Sequence, residues 1–104
     1  MRTSSNKEEK EKLISQLNER LVNCIIKNKP VAIHLQSGKI TTRMTVVPES
    51  VNFSKDELCL EYKSYILSIE NKINHIQYVD TCDYNGYYIK VDNADIFFDF
   101  ILIH

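Results

Sequence analysis

Three cysteines, three histidines and fourteen carboxylates are the side chains with reactive chemistry in this 104-residue chain. Their spacing does not assemble a familiar centre. Cys24, Cys59 and Cys82 form no CxxC pair, and His34, His75 and His104 form no closely spaced ligand pair with them. Protein zinc sites usually announce themselves through such short spacings. Nucleophilic catalysis has no GxSxG elbow, and no cysteine stands in a sequence context that suggests an activated nucleophile. The only glycines are Gly38 and Gly86, too few for a phosphate-cradling loop. Among the carboxylates, Asp80 and Asp83 are an odd number of residues apart, so a regular strand turns them to opposite faces. Asp92 and Asp95 flank a turn, where Asp is favoured by local hydrogen bonding. The expectation is a chain that is not an enzyme and needs no cofactor or metal.

Binding is the better-supported chemistry. Tyr84, Tyr87 and Tyr88 surround Asn85-Gly86, and Asp80 and Asp83 lie just before them. Tyrosine is a frequent anchor at interfaces, so Asp80, Asp83, Tyr84, Asn85, Tyr87 and Tyr88 are expected to form an acidic, tyrosine-rich hairpin presented to a protein partner. The last segment is apolar on both faces. Ile96, Phe98, Phe100 and Leu102 alternate with Phe97, Asp99, Ile101 and Ile103. A half-exposed strand should not read this way. It is either a central strand covered on both sides or one that meets another subunit. On the second reading Phe97, Phe98, Phe100, Ile101 and Ile103 form a homo-oligomer interface.

Charge is unevenly placed. Residues 1–45 carry nine Lys/Arg against four Glu, a net +5, and residues 46–104 carry four Lys against ten Asp/Glu, a net −6. Such asymmetry marks two binding faces or surfaces that meet in an oligomer. The basic residues Lys27, Lys29, Lys39 and Arg43 gather around the end of the first element and the first hairpin. No stretch reaches the ~20 apolar residues of a membrane-spanning helix. The charged first twelve residues lack the apolar core of a secretory signal. A cytoplasmic protein with reduced thiols and no membrane partner is expected.

The elements that must hold these residues follow from periodicity. Residues 1–5 read as a flexible tail and 6–104 as a single domain. Ser5 and Glu8 fit a capping box. Leu13, Leu17, Leu21 and Ile25 recur every fourth residue, with Ile14, Val22 and Ile26 widening the stripe. This predicts a helix over 6–27, stopped by Asn28 in a left-handed conformation and by Pro30. After Pro30 the period becomes two. Strands are predicted from Val31, from Ile40, around Val51, over 58–69 as one bent strand or two, from Ile73 to about Tyr84, from Tyr87 and from Asp95. Ser37-Gly38 and Asn85-Gly86 are the turn signals, the second suiting a type I′ hairpin. The fold class is therefore α+β: an N-terminal helix followed by a strongly bent antiparallel β-meander of six or seven strands, forming a small barrel or a sandwich-like domain.

The run Val31-x-Ile33-x-Leu35-x-x-Gly38-Lys39 resembles the first motif of the Sm-like family, and Ile69-Glu70-Asn71-Lys72-Ile73-x-x-Ile76 resembles its second. The likeness covers residues 13–79. The strands after Val79 are additional, and Arg43 stands where the family has a glycine. Family members form rings joined by strand edges and bind single-stranded RNA. The resemblance implies RNA contacts at Lys39, Arg43, Asn71 and Lys72.

The functional expectation is a non-catalytic binding or assembly domain acting through protein–protein interaction, as an inhibitor or adaptor. An Sm-like RNA-binding ring is the alternative, and an oligomeric small-ligand binder is a third.

Overall fold

Asn28 stops the first element. In the computed structural model, which describes residues 2–54, 57–62, 65–69 and 73–101, helix α1 spans Arg2–Lys27. Asn28 takes a positive φ of 55°. The Lys29 amide donates to the Cys24 carbonyl at 2.8 Å and the Asn28 amide to Ile25 at 3.3 Å. Together these form a Schellman cap with Asn28 at the left-handed position. The N-terminal expectation needs correction. The backbone is helical from Arg2, ahead of the expected start at 6, so Ser5 is not at the N-cap position. Neither Gly nor Pro occurs before Pro30 to break the run. Leu17, Leu21 and Cys24 are buried, whereas Val22 and Ile26, expected to widen the stripe, are exposed. Burying each leucine contributes about 1.5–3 kcal/mol.

Among the described residues, eight strands follow. They are β1 (Val31–Ser37), β2 (Ile40–Val46), β3 (Ser50–Ser54), β4 (Glu57–Tyr62), β5 (Tyr65–Ile69), β6 (His75–Asp80), β7 (Asn85–Val91) and β8 (Ala94–Asp99). The α+β class stands, but the strand count of six or seven is too low and the barrel does not close. The strands divide into a five-stranded antiparallel sheet, β2-β1-β8-β7-β6, and a three-stranded one, β3-β4-β5. Pro48 sits at the division. It has no amide hydrogen to continue the β2 ladder, and the chain leaves the first sheet there. β2 and β6 remain as edges among the described residues.

In the larger sheet the register fixes two faces. One carries Ile33, Tyr87, Ile89, Ile96 and Phe98, all buried. Helix α1 packs against β3, β6 and β7, and Leu58 and Leu60 of β4 join the same core. The helix and the smaller sheet thus cover one face. The opposite face has no described element over it. No helix of the described residues is long and apolar enough to cross a membrane.

Gly38 supplies a positive φ of 60° in the β1–β2 turn, as its position in a tight hairpin requires. Gly86 does something else. Asn85-Gly86 is not the β6–β7 turn; both residues belong to β7, and neither has positive φ. The turn lies at 81–84. What Gly86 provides is space, because a Cβ there would overlap the backbone carbonyl of Phe98 on β8. Gly86→Ala is therefore expected to force the two central strands apart and to destabilise the fold by about 3 kcal/mol. Gly38→Ala, which meets nothing within 4 Å, should lose only the ~1 kcal/mol of left-handed strain. Denaturant unfolding of both variants measures the difference.

Candidate functional site

The site is built by strand alternation on the uncovered face. His34 of β1 is the ladder partner of Phe97 on β8, and Phe97 is the partner of Tyr88 on β7, which in turn faces Gln77 on β6. On the other side His34 pairs with Arg43 of edge strand β2. Directly paired residues share a face. One row therefore runs Arg43, His34, Phe97, Tyr88, Gln77 across all five strands.

The rings of this row touch. His34 and Phe97 have centroids 5.9 Å apart and tilted by 52°. Tyr84 reaches the same phenylalanine from the β6–β7 turn, edge-on at 5.8 Å and 76°. Its placement depends on Thr81, whose Oγ1 accepts from the Tyr84 amide at 3.0 Å and from the Asp83 amide at 3.3 Å. The Thr81 amide donates back to the Tyr84 carbonyl at 2.8 Å. His34, Gln77, Val79, Tyr84, Tyr88 and Phe97 line an open depression of about 420 Å³. Its volume lies in the range of ligand-binding clefts, and its lining is mostly ring carbon with a few polar edges. Among the described residues, no Asp, Glu, Lys or Arg lines it.

A second cluster sits on the covered side and is structural. Arg20 of α1 donates from Nη1 to Asn85 Oδ1 at 2.5 Å, and its guanidinium lies 4.3 Å from the Phe100 ring centroid. Asn85 Nδ2 donates to the Tyr78 hydroxyl at 3.1 Å and to Asp80 Oδ1 at 3.0 Å. Asp99, which alternation puts on the Phe97 side of β8, accepts at Oδ1 from the Asn85 and Ile101 amides, at 3.2 and 3.1 Å. The buried Asp99 carboxylate is satisfied this way, as burial demands. The Tyr87 hydroxyl donates to Gln16 of the helix at 3.1 Å.

The predicted partner-binding set is thus divided. Tyr84 and Tyr88 lie in the depression and Asp83 is exposed at the turn beside it, while Asn85, Tyr87 and Asp80 are spent on the covered side. The predicted oligomer interface divides too. Phe97 is on the open face, Phe98 is fully buried in the chain's own core, Phe100 packs under Arg20, and Ile101 follows the end of β8. Phe98 and Phe100 are therefore occupied within the chain. Lys39 lies in the β1–β2 turn and Arg43 on the open face. Asn71, Lys72 and Ile103 lie outside the described residues. The histidines do not converge: His34 is on the open face, His75 rests edge-on against Tyr88 at 6.5 Å, and His104 is outside the described residues. Gln77 and Val79 were missed as lining residues. The period-two pattern of β6 could have found them once β7 was known as its neighbour.

Among the described residues, three hydroxyl and thiol groups titrate high. Burial, opposed by Arg20 and Lys29, pushes the Cys24 thiol up. Burial does the same to Tyr87 against the pull of Arg20. Tyr88 rises through desolvation and through its hydrogen bond to the Asp95 carboxylate. An acid whose folded pKa is raised keeps its proton longer in the native state than in the unfolded chain. Its contribution is whole below the unfolded pKa and is lost as pH climbs through the folded one. Stability is therefore expected to fall above roughly pH 9–10, where unfolded thiols and phenols ionise. Tyr87→Phe and Tyr88→Phe should each flatten that fall, measured by urea unfolding at a series of alkaline pH values.

Comparison of the chain with protein-family models, with curated proteins and with solved structures finds no match to any of them.

Proposed function

We propose that this chain is a non-catalytic binding domain that seats a protein partner on the open face of its five-stranded sheet. The observation that carries the reading is the convergence of His34, Tyr84, Tyr88 and Phe97, from three strands and a turn, on a single solvent-facing depression. An apolar, aromatic centre inside a polar rim is the usual anatomy of a protein-binding surface. The rim carries Arg43 and Lys90 on one hand and Asp83 and Asp95 on the other. That balance does not suit a polyanion, whose binding draws on clustered Lys and Arg.

A second copy of the chain is a poor occupant. A two-fold contact would bring the hollow against itself and leave both halves unfilled. Phe98 and Phe100, two of the residues expected to make such a contact, are occupied inside the chain. The partner is instead something that projects.

Site-directed photocross-linking in the native cell tests this. With Phe97 or Tyr88 replaced by p-benzoylphenylalanine, the same protein adduct is expected from both positions. The probe at Glu11, on the exposed side of the helix, should not give it. An adduct to RNA, a cross-linked dimer of the chain, or the same protein from Glu11 would overturn the reading.

A further inference from the structure

We infer that the depression receives one aromatic side chain from an extended partner segment, with an acidic residue of that segment over Arg43 and a basic residue beside Asp83. This deepens the reading above and rests on it.

The lining argues for a ring. Four rings and Val79 present π-faces and methyl groups but no formal charge. An aromatic side chain buries about 150–250 Å² and gains further from offset or edge-on contacts. The depression, about 420 Å³, takes an indole or phenol with space for its flanking backbone. The Tyr84 hydroxyl and the His34 ring nitrogens have no hydrogen-bond partner among the described residues, so both are available to an indole N–H or a phenol.

The rim argues for the flanking charges. Arg43 is exposed on β2, in the same row as Phe97, and Asp83 is exposed in the turn that carries Tyr84. Neither side chain has an ion-pair partner among the described residues. From β2 to the β6–β7 turn is about 17 Å across the strands at their usual ~4.8 Å spacing, and roughly 20 Å once the displacement along them is included. Four steps of extended chain cover about 14 Å. A Glu and a Lys at the two ends supply the rest through their own length. Phe97 lies between the two charges, which places the aromatic residue in the middle of the segment. Lys90 and Asp95 are ladder partners and offset each other, so they leave the bipolar pattern of Arg43 and Asp83 in place.

The chain contains no Trp, so the fluorescence of a tryptophan probe can be read without background. The probes are three blocked peptides, Glu-Ala-Trp-Ala-Lys, Lys-Ala-Trp-Ala-Lys and Glu-Ala-Trp-Ala-Glu, titrated at low salt. The backbone amides of His34, Val79, Tyr88 and Phe97 are followed by NMR. The bipolar peptide is expected to bind at these amides about two- to fivefold more tightly than either like-charged one, the advantage exposed ion pairs supply. Phe97→Ala should weaken it about tenfold. Arg43→Glu, at an exposed edge position that leaves the core untouched, should move the preference to the Lys-Ala-Trp-Ala-Lys peptide. The inference is overturned by equal binding of all three peptides, by saturation at amides elsewhere, by no binding, or by displacement of the peptide by oligouridylate. A protein adduct at Phe97 alongside failure of the peptides would sink this motif and leave the docking surface standing. Absence of both would remove the surface as well.

Discussion

Strand β8 is held between β1 and β7, and nearly everything else follows from that double pairing. It joins the first strand of the chain to the last hairpin, so the sheet cannot form until distant segments meet. Its backbone is engaged on both edges, and its two faces are committed to different tasks. Ile96 and Phe98 enter the core, while Asp95 and Phe97 look the other way. The contact with β7 is so close that only glycine fits opposite Asp99. Asn85, one residue earlier, then binds helix, β6 and β8 at once through Arg20, Asp80 and Asp99. The helix is thereby tied to the same strand pair whose other side bears the aromatic depression.

Local rules made part of this legible. The αL cap at Asn28, the glycine turn at Gly38 and the alternation of Val31, Ile33 and Leu35 are decided within a few residues, and the chain obeys them. The apolar alternation on both faces of the final segment reads as a strand covered on both sides; β8 is indeed central in its sheet, but described elements cover only the face of Ile96 and Phe98. Asn85-Gly86 misled because its composition satisfies two different physical needs. Positive φ in a turn and absence of a Cβ at a close strand contact both select glycine. Sequence distinguishes them only when the partner strand is known. Where the strands divide into two sheets was not legible either. It depends on which strands pair after Pro48, and alternation says nothing of pairing.

The candidate site shows the same limit more sharply. Tyr84, Tyr87 and Tyr88 are neighbours in sequence, but a strand turns successive residues to opposite sides. Tyr88 therefore faces solvent and Tyr87 faces the helix. Phe97 and Phe98 are separated by the same rule. Both clusters were visible as composition. Dividing each between interior and surface needed the register of β7 against β8, which no local pattern carries. His34 and Arg43 enter the site for a related reason. They lie far from the tyrosines in sequence, and only the β1–β8 ladder places them in line.

Strand stability alone gives an incomplete account of the open face. Cross-strand aromatic pairs contribute about 0.2–1 kcal/mol each, and the contacts of Phe97 with His34 and Tyr84 draw on that source. Threonine or valine would serve a solvent-facing central strand nearly as well and would not leave rings beside a hollow. Elsewhere on the same sheet the chain behaves in that economical way. Edge strand β2 presents Ile40, Thr41, Thr42, Arg43 and Thr45 to solvent, and of these Arg43 carries the charge that discourages an edge from pairing with another chain. Rings are concentrated on β7, β8 and the turn that joins β6 to β7, and β7 and β8 are each paired along both edges. A rigid platform loses little entropy when something is laid on it. The contrast between a polar, guarded edge and an aromatic, rigid centre is what a surface needs if it is to accept a partner across its face and refuse one along its margin.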